Sequence, residues 1–144
     1  MPISLRKISV SMSTPEQTVR DFIAAYYSWN ENANEMARLA RKSGQKTGAI
    51  IPLAQQDYDR IIDRFYATGV VAQGISFGND AMHHPERESL ESTSIEDSTA
   101  IIRTRHVGQY NMESIYEYHL ENESGEWKLR SLLYMDDEGS YECL

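Results

Sequence analysis

The stretch Trp127-Lys-Leu-Arg-Ser-Leu-Leu-Tyr-Met-Asp-Asp-Glu-Gly-Ser-Tyr-Glu-Cys-Leu144 decides the fold of this chain. Its first half alternates between two faces, which predicts a half-buried β-strand, and an acidic turn and a short apolar tail follow. The predicted faces of the strand are Trp127, Leu129, Ser131, Leu133 and Met135 on one side, and Lys128, Arg130, Leu132 and Tyr134 on the other. Because strand-like segments precede it and helical patterns fill the N-terminal half, we predict a helix-first, sheet-last α+β domain.

Several segments upstream of this strand share its pattern. Residues 112–120 alternate best, and one face of the predicted strand carries Met112, Ser114, Tyr116, Tyr118 and Leu120. Residues 98–107 have two isoleucines at their centre, and residues 88–96 alternate weakly. Residues 70–77 are rich in β-formers but are interrupted by a glycine. Together these segments predict an antiparallel sheet of four to five strands.

Three N-terminal helices are predicted to pack on that sheet. The first begins at the N-cap Thr14, which Pro15 follows in the first helical position, and it ends at about Asn30 because asparagines there weaken the pattern. A second, weaker helical face covers residues 33–40, and a third helix covers about residues 54–67. We expect the helices to cover one face of the sheet and to leave the other face open.

The charge of the chain is concentrated in the sheet half. The net charge is −8, and residues 65–144 hold five Lys/Arg against fifteen Asp/Glu, whereas residues 1–64 hold nine against seven. An acidic surface argues against nucleic acid as a ligand, because phosphate contacts need a basic face. It favours a basic protein partner. Solubility alone is the plainer explanation of the same charge.

The length and the cysteine content limit the class of protein. A chain of 144 residues has the common size of one domain, and we predict a single domain over residues 14–144 with an N-terminal extension at residues 1–13. Cys143 is the only cysteine, so no disulfide forms within the chain. No signal peptide or membrane span is apparent in the sequence, and we expect a cytoplasmic protein with no membrane partner.

Two stretches resemble a known family. The opening Thr14-Pro-Glu-Gln-Thr-Val-Arg-Asp-Phe22 and the long late strands resemble the nuclear transport factor two-like fold. The closing Trp127-Lys-Leu-x-Ser-Leu-x-Tyr-x-Asp-x-Glu-Gly-x-Tyr-Glu-Cys-Leu144 is similar to the immunity-protein branch of that superfamily. The resemblance implies a cone-shaped fold, in which a strongly curved sheet wraps a layer of helices.

The resemblance also implies a function. Immunity proteins of this branch neutralise the toxin domain of a polymorphic toxin made by the same cell. We therefore expect a non-enzymatic protein that needs no cofactor, binds the C-terminal toxin domain of a secreted effector, and blocks its active site or its access to substrate. The same cone fold hosts enzymes such as ketosteroid isomerases and dehydratases, so a small-molecule enzyme or binder is the alternative. A homodimer that pairs through the open sheet face is a third hypothesis.

No pattern of residues in the sequence indicates a catalytic or metal site. Tyrosines at periodic apolar positions are more often part of a core. His83 and His84 are adjacent and lack a third ligand at a telling spacing, so we expect both in a solvated loop. His106 and His119 each stand alone in a strand, which is typical of a surface or hydrogen-bonded histidine. Cys143 lacks an activating base.

The remaining candidates are carboxylates and a tyrosine near the end of the chain. Aromatic side chains beside charges are typical anchors of protein interfaces. A solvated acidic face is the alternative for any one of these residues. We predict that the toxin-binding residues are Glu113, Glu117, Asp136, Asp137, Glu138, Tyr141 and Glu142.

Overall fold

The computed structural model describes residues 13–144, in which two α-helices precede five β-strands. A short 3₁₀ segment lies before the second helix, and another lies before the third strand. The predicted α+β class is confirmed, whereas the predicted N-terminal extension falls outside the described residues except for Ser13. The bounds are α1 Pro15–Lys42, α2 Ile51–Phe65, β1 Glu88–Glu96, β2 Thr99–Val107, β3 Glu113–Glu123, β4 Glu126–Asp136 and β5 Gly139–Glu142.

Helix α1 begins where the sequence predicts and ends twelve residues later than Asn30. Its N-cap is Thr14, whose hydroxyl accepts a hydrogen bond of 3.0 Å from the backbone N–H of Gln17. The prediction of a separate second helix is wrong, because α1 continues unbroken to Lys42 and the chain has two α-helices among its described residues. Asn30 is buried and exchanges two hydrogen bonds with the backbone of Gly78, at 2.8 and 3.1 Å. These tertiary bonds offset the poor helix propensity of asparagine.

Helix α2 packs beside α1 through one apolar face. It starts three residues before the predicted position, since the 3₁₀ segment Thr47–Ile50 leads directly into it. Its buried side chains are Ala54, Tyr58, Ile61 and Phe65. The indole N–H of Trp29 donates a hydrogen bond of 2.9 Å to the carbonyl of Ala54, which joins the two helices within the core.

The sheet is an antiparallel meander in which every strand pairs with the next one along the chain. Five strands agree with the predicted four to five, but residues 70–77 do not form one of them. That segment crosses the end of the sheet as irregular chain, where the N–H of Gln73 donates to the carbonyl of Leu144 at 3.0 Å. The fifth strand is β5, which folds back from β4 through the acidic turn.

The predicted faces of β4 are wrong in its second half because of a β-bulge. His119 pairs with Ser131 and Leu120 pairs with Leu129, so Arg130 has no partner across the ladder. One extra residue in a strand reverses the alternation beyond it. Leu129 and Leu132 therefore both point inward and are buried, although residues three positions apart lie on opposite faces of a regular strand.

The core lies between the two helices and one face of the sheet. The predicted alternation of β3 is confirmed for Tyr116, Tyr118 and Leu120, which share one face and are all buried, whereas Met112 lies before the strand and is exposed. The opposite face of the sheet carries ion pairs between neighbouring strands. An example is Arg103 in β2 with Glu117 in β3, where a guanidinium nitrogen lies 2.8 Å from a carboxylate oxygen. Among the described residues no helix covers this outer face, whereas the helices bury the inner one.

Neither α-helix in the described part of the chain is long and apolar enough to cross a membrane.

Candidate functional site

The strand register brings four of the predicted partner-binding residues together. Ile115 in β3 pairs with Met135 in β4, so Glu113 and the turn Asp136–Glu138 lie at the same end of the sheet. The β2–β3 connection ends there too, and Asp80 is tied to it because its carboxylate accepts a hydrogen bond of 3.2 Å from the N–H of Gln109. We call this set the acidic end. Its members are Asp80, Glu113, Asp136, Asp137 and Glu138.

The carboxylates of the acidic end differ in what they bind. Glu113 contacts the guanidinium of Arg105. Asp136 closes the β4–β5 turn, since one of its oxygens accepts hydrogen bonds from the N–H groups of Glu138 and Gly139 at 2.8 and 3.0 Å. Asp137 and the side chain of Glu138 are exposed and have no partner within residues 13–144. These last two are available to an outside ligand.

Two other predicted partner-binding residues are held by internal contacts. Glu117 bonds Arg103 at 2.8 Å and His119 at 3.0 Å, and the hydrogen bond from Arg103 lowers the pKa of Glu117. Glu142 accepts hydrogen bonds from the N–H groups of Leu132 and Leu144 at 3.0 and 3.2 Å. Both carboxylates therefore stabilise the sheet and the tail, and a partner would have to compete for them.

Tyr141 belongs to a row of tyrosines that crosses the inner face of the sheet. Its ring stacks on Tyr134 at 6.4 Å between centroids, and Tyr134 contacts Tyr116 at 5.9 Å. Tyr116 is buried, whereas Tyr141 in the edge strand β5 is half exposed. The row thus holds an exposed aromatic side chain in a fixed position close to the acidic end.

A second polar cluster, which the sequence did not predict, lies in the core. The expectation that His83 lies in a solvated loop is wrong, because its side chain is fully buried beside Glu88. His84 is partly buried against the ring of Tyr27, with 4.1 Å between centroids. His106 is buried as well, and its Nδ1 has no hydrogen-bond partner among the described residues.

Glu88 is the centre of this buried cluster. Its carboxylate accepts hydrogen bonds from His83 Nδ1 at 2.7 Å and from the hydroxyls of Thr104 and Tyr118, each at 2.6 Å. Burial by itself would raise the pKa of Glu88, but the electrostatic interaction with His83 and the hydrogen bonds from His83 and Thr104 outweigh it and hold the pKa well below its usual range. Burial also raises the pKa of Tyr118, which keeps its proton.

The buried cluster has the groups of an acid–base site but no room for a substrate. The side chains of His83 and Glu88 are both 0% exposed. The adjoining cavity measures about 50 Å³, which holds only a few water molecules. His83 Nε2 has no hydrogen-bond partner in the described part of the chain, and the ring lies among aromatic side chains, with its centroid 4.9 Å from that of Tyr26 and 4.8 Å from that of Tyr116. In this geometry the pair stabilises the core and touches nothing outside it.

An open cleft of about 400 Å³ lies beside the cluster, between α1 and the edge strand β1. Arg20, Ile23, Pro85 and Leu90 form most of its wall. Glu88 also borders it, but the carboxylate points into the core and is fully buried. A ligand in the cleft would therefore meet apolar side chains and Arg20, and would not reach the carboxylate.

Other candidate chemistry is weak in the described residues. Across residues 13–144 no group of three or more His, Cys, Asp or Glu side chains is placed to hold a metal ion. Burial raises the pKa of the Cys143 thiol, which disfavours the thiolate. His119 bonds Glu117 on the outer face, as predicted for a hydrogen-bonded histidine.

Comparison of the chain with models of protein families, with curated proteins and with solved structures gave no match.

Proposed function

We propose that this chain is a non-enzymatic immunity protein with a nuclear transport factor two-like cone fold. It binds the C-terminal toxin domain of an effector made by the same cell, in the cytoplasm, and blocks the active site of the toxin or its access to substrate. The observation that carries the proposal is the acidic end, where Glu113 and the turn Asp136–Glu138 converge beside the outer face of the sheet, which no helix of residues 13–144 covers.

The charge of the acidic end defines the kind of partner. The acidic end holds five carboxylates, of which Glu113 shares Arg105 with Glu91. The nearby Arg87 donates a hydrogen bond to the carbonyl of Val107, at the start of the β2–β3 connection. Such a surface attracts a basic protein face and accelerates its association, with an effect that falls as salt rises. A toxin that acts on an anionic substrate carries a basic cleft of this kind, so the acidic end would cover the cleft or lie next to it.

The packing of the interior favours binding over catalysis. A cone-fold enzyme needs a pocket that holds its substrate, and pockets for small molecules usually measure about 300–1,000 Å³. The interior cavity of about 50 Å³ is far smaller, and its walls are mainly aromatic and aliphatic side chains. The acidic end, by contrast, is open to solvent.

The enzyme or small-molecule binder is the second candidate, and one observation favours it. A buried carboxylate, Glu88, lies next to His83 and Tyr118, which is the combination of groups that general acid–base chemistry uses. This candidate requires the interior to open by several times its present volume. Binding of a small apolar probe that shifts the NMR signals of the His83 ring would favour it, and unchanged signals would count against it. The homodimer hypothesis also stays a prediction, which light scattering at high concentration tests.

Co-expression tests the proposal. The chain is produced with the protein encoded by the reading frame immediately upstream, and growth and co-purification are measured. We expect rescued growth and a complex that survives purification. The double variant Asp137→Lys/Glu138→Lys should lose rescue, because it reverses two exposed carboxylates that have no partner within residues 13–144.

The matched control is Glu96→Lys/Glu126→Lys, which reverses two exposed carboxylates near the opposite end of the sheet. It changes the net charge by the same amount and should keep rescue. Equal loss in both variants would assign the effect to net charge alone. If the wild-type chain neither binds the upstream-encoded protein nor rescues growth, the proposal fails and the second candidate takes first place.

A further inference from the structure

The β2–β3 connection displays two large apolar side chains to solvent. Tyr110 is 93% exposed and Met112 is 68% exposed, although each belongs to a residue type that folding usually buries at least in part. Both lie at the acidic end, since Glu113 is the next residue along the chain. Exposed aromatic residues ringed by charge are the usual composition of a binding surface rather than of a solvated loop.

The backbone at Tyr110 is strained. Tyr110 and Asn111 both have φ of +58°, a left-handed conformation that asparagine tolerates and that is unusual for a bulky residue. The other non-glycine residues with positive φ in residues 13–144 are Asp97 and Ser124, small polar residues in hairpin turns at the opposite end of the sheet. No packing of the Tyr110 ring compensates for the strain, since the side chain is almost fully exposed.

The surrounding contacts hold this loop in place. The N–H of Gly108 donates to the carbonyl of Met112 at 2.8 Å, which closes the loop on itself. Asp80 anchors it through the N–H of Gln109, and an Asp80 oxygen lies only 3.0 Å from the point where a Cβ on Gly108 would sit. The fold therefore presents the Tyr110 ring from a closed, anchored loop, which reduces the entropy that a partner would have to remove.

We propose that Tyr110 is the aromatic anchor of the toxin interface. This inference rests on the proposed function and adds to it the residue that contributes most to affinity. The ring enters an apolar socket on the toxin, and the carboxylates of the acidic end face Lys and Arg residues around that socket. Charge complementarity selects a basic partner, and a tyrosine at the centre of such a rim is a common hot spot.

Substitution of the strained residue by glycine separates stability from binding. Tyr110→Gly removes the ring and relaxes the left-handed backbone. The melting temperature of the variant should be unchanged or higher, while its affinity for the purified C-terminal domain of the upstream-encoded protein falls by roughly tenfold or more. Tyr110→Phe keeps the ring and should keep most of the affinity.

Ser124→Gly is the matched control, because it relaxes the same left-handed strain at the far end of the sheet. Its melting temperature should also be unchanged or higher, and its affinity should equal that of the wild-type chain. If the wild-type chain binds and Tyr110→Gly binds equally well, the inference is wrong and the proposed function stands. If the wild-type chain does not bind this domain at all, the proposed function fails and the inference fails with it.

Discussion

Glu88 and Asp137 are two carboxylates of one chain that meet opposite surroundings. Glu88 is enclosed by the core and takes hydrogen bonds from His83, Thr104 and Tyr118. Asp137 lies in the exposed β4–β5 turn and has no partner in the part of the chain that the structure describes. A buried charge must be paired within the protein, because its desolvation is costly. A solvated charge needs no partner in the protein and can bind another molecule.

The comparison separates the residues that maintain the fold from those that are available for binding. The buried cluster has the residue types of an active site, yet no solvent reaches its carboxylate. The acidic end has no histidine or tyrosine among its members, yet all five are exposed, and the side chains of Asp137 and Glu138 have no partner within residues 13–144. Burial and pairing, rather than residue type, therefore assign the two regions their roles.

The largest expected effect is the loss of Glu88. Glu88→Ala removes the acceptor of three buried hydrogen bonds and leaves the buried His83 without its carboxylate partner. Removing one partner of a buried pair usually costs about 3–5 kcal/mol of unfolding free energy. Urea denaturation should show a loss of this size. A loss below about 1 kcal/mol would mean that the cluster does not hold the core together.

Acid should weaken the wild-type chain through the same residue. The pKa of Glu88 is lower in the folded state than in the unfolded state, so the carboxylate contributes stability that is fully present above the unfolded pKa and is lost as pH falls through the folded pKa. Unfolding free energy measured from pH 6 down to pH 3 should therefore fall more steeply for the wild-type chain than for Glu88→Gln. Parallel curves for the two proteins would contradict the lowered pKa of Glu88.

The smallest effect on stability is expected at the acidic end. Asp137→Lys/Glu138→Lys changes two exposed side chains that have no partner among the described residues, and such substitutions usually alter unfolding free energy by less than about 0.5 kcal/mol each. Urea denaturation at moderate salt measures this change. A loss of several kcal/mol would show that these carboxylates serve the fold, and the contrast with Glu88 would disappear.

Much of the framework follows from local sequence patterns. The N-cap Thr14, the apolar faces of the helices and the alternation around Tyr116 and Tyr118 depend on neighbouring residues alone, so the sequence predicts them well. The acidic turn at residues 136–138 and its place beside Glu113 follow from antiparallel pairing of the last long strands.

The wrong predictions concern positions whose conformation or burial is set by residues distant in sequence. Asn30 stays helical because Gly78, far along the chain, bonds its side chain. Arg130 forms a bulge that no local period signals. His83 is buried because an irregular segment crosses the core and meets Glu88 at the start of a strand. One feature of the sequence indicates the buried carboxylate: Glu88 and Leu90 are two residues apart in β1, so they share a face of the strand and Glu88 points inward with an apolar neighbour.

The central claim is that the acidic end binds a basic toxin domain, and a titration tests it most directly. Affinity for the C-terminal domain of the upstream-encoded protein is measured for the wild-type chain, Asp137→Lys/Glu138→Lys and the Glu96→Lys/Glu126→Lys control, at low and high salt. The account predicts a fall of roughly tenfold or more for the first variant, mainly in the association rate and smaller at high salt, and little change for the control. Equal affinity of the wild-type chain and Asp137→Lys/Glu138→Lys would contradict it.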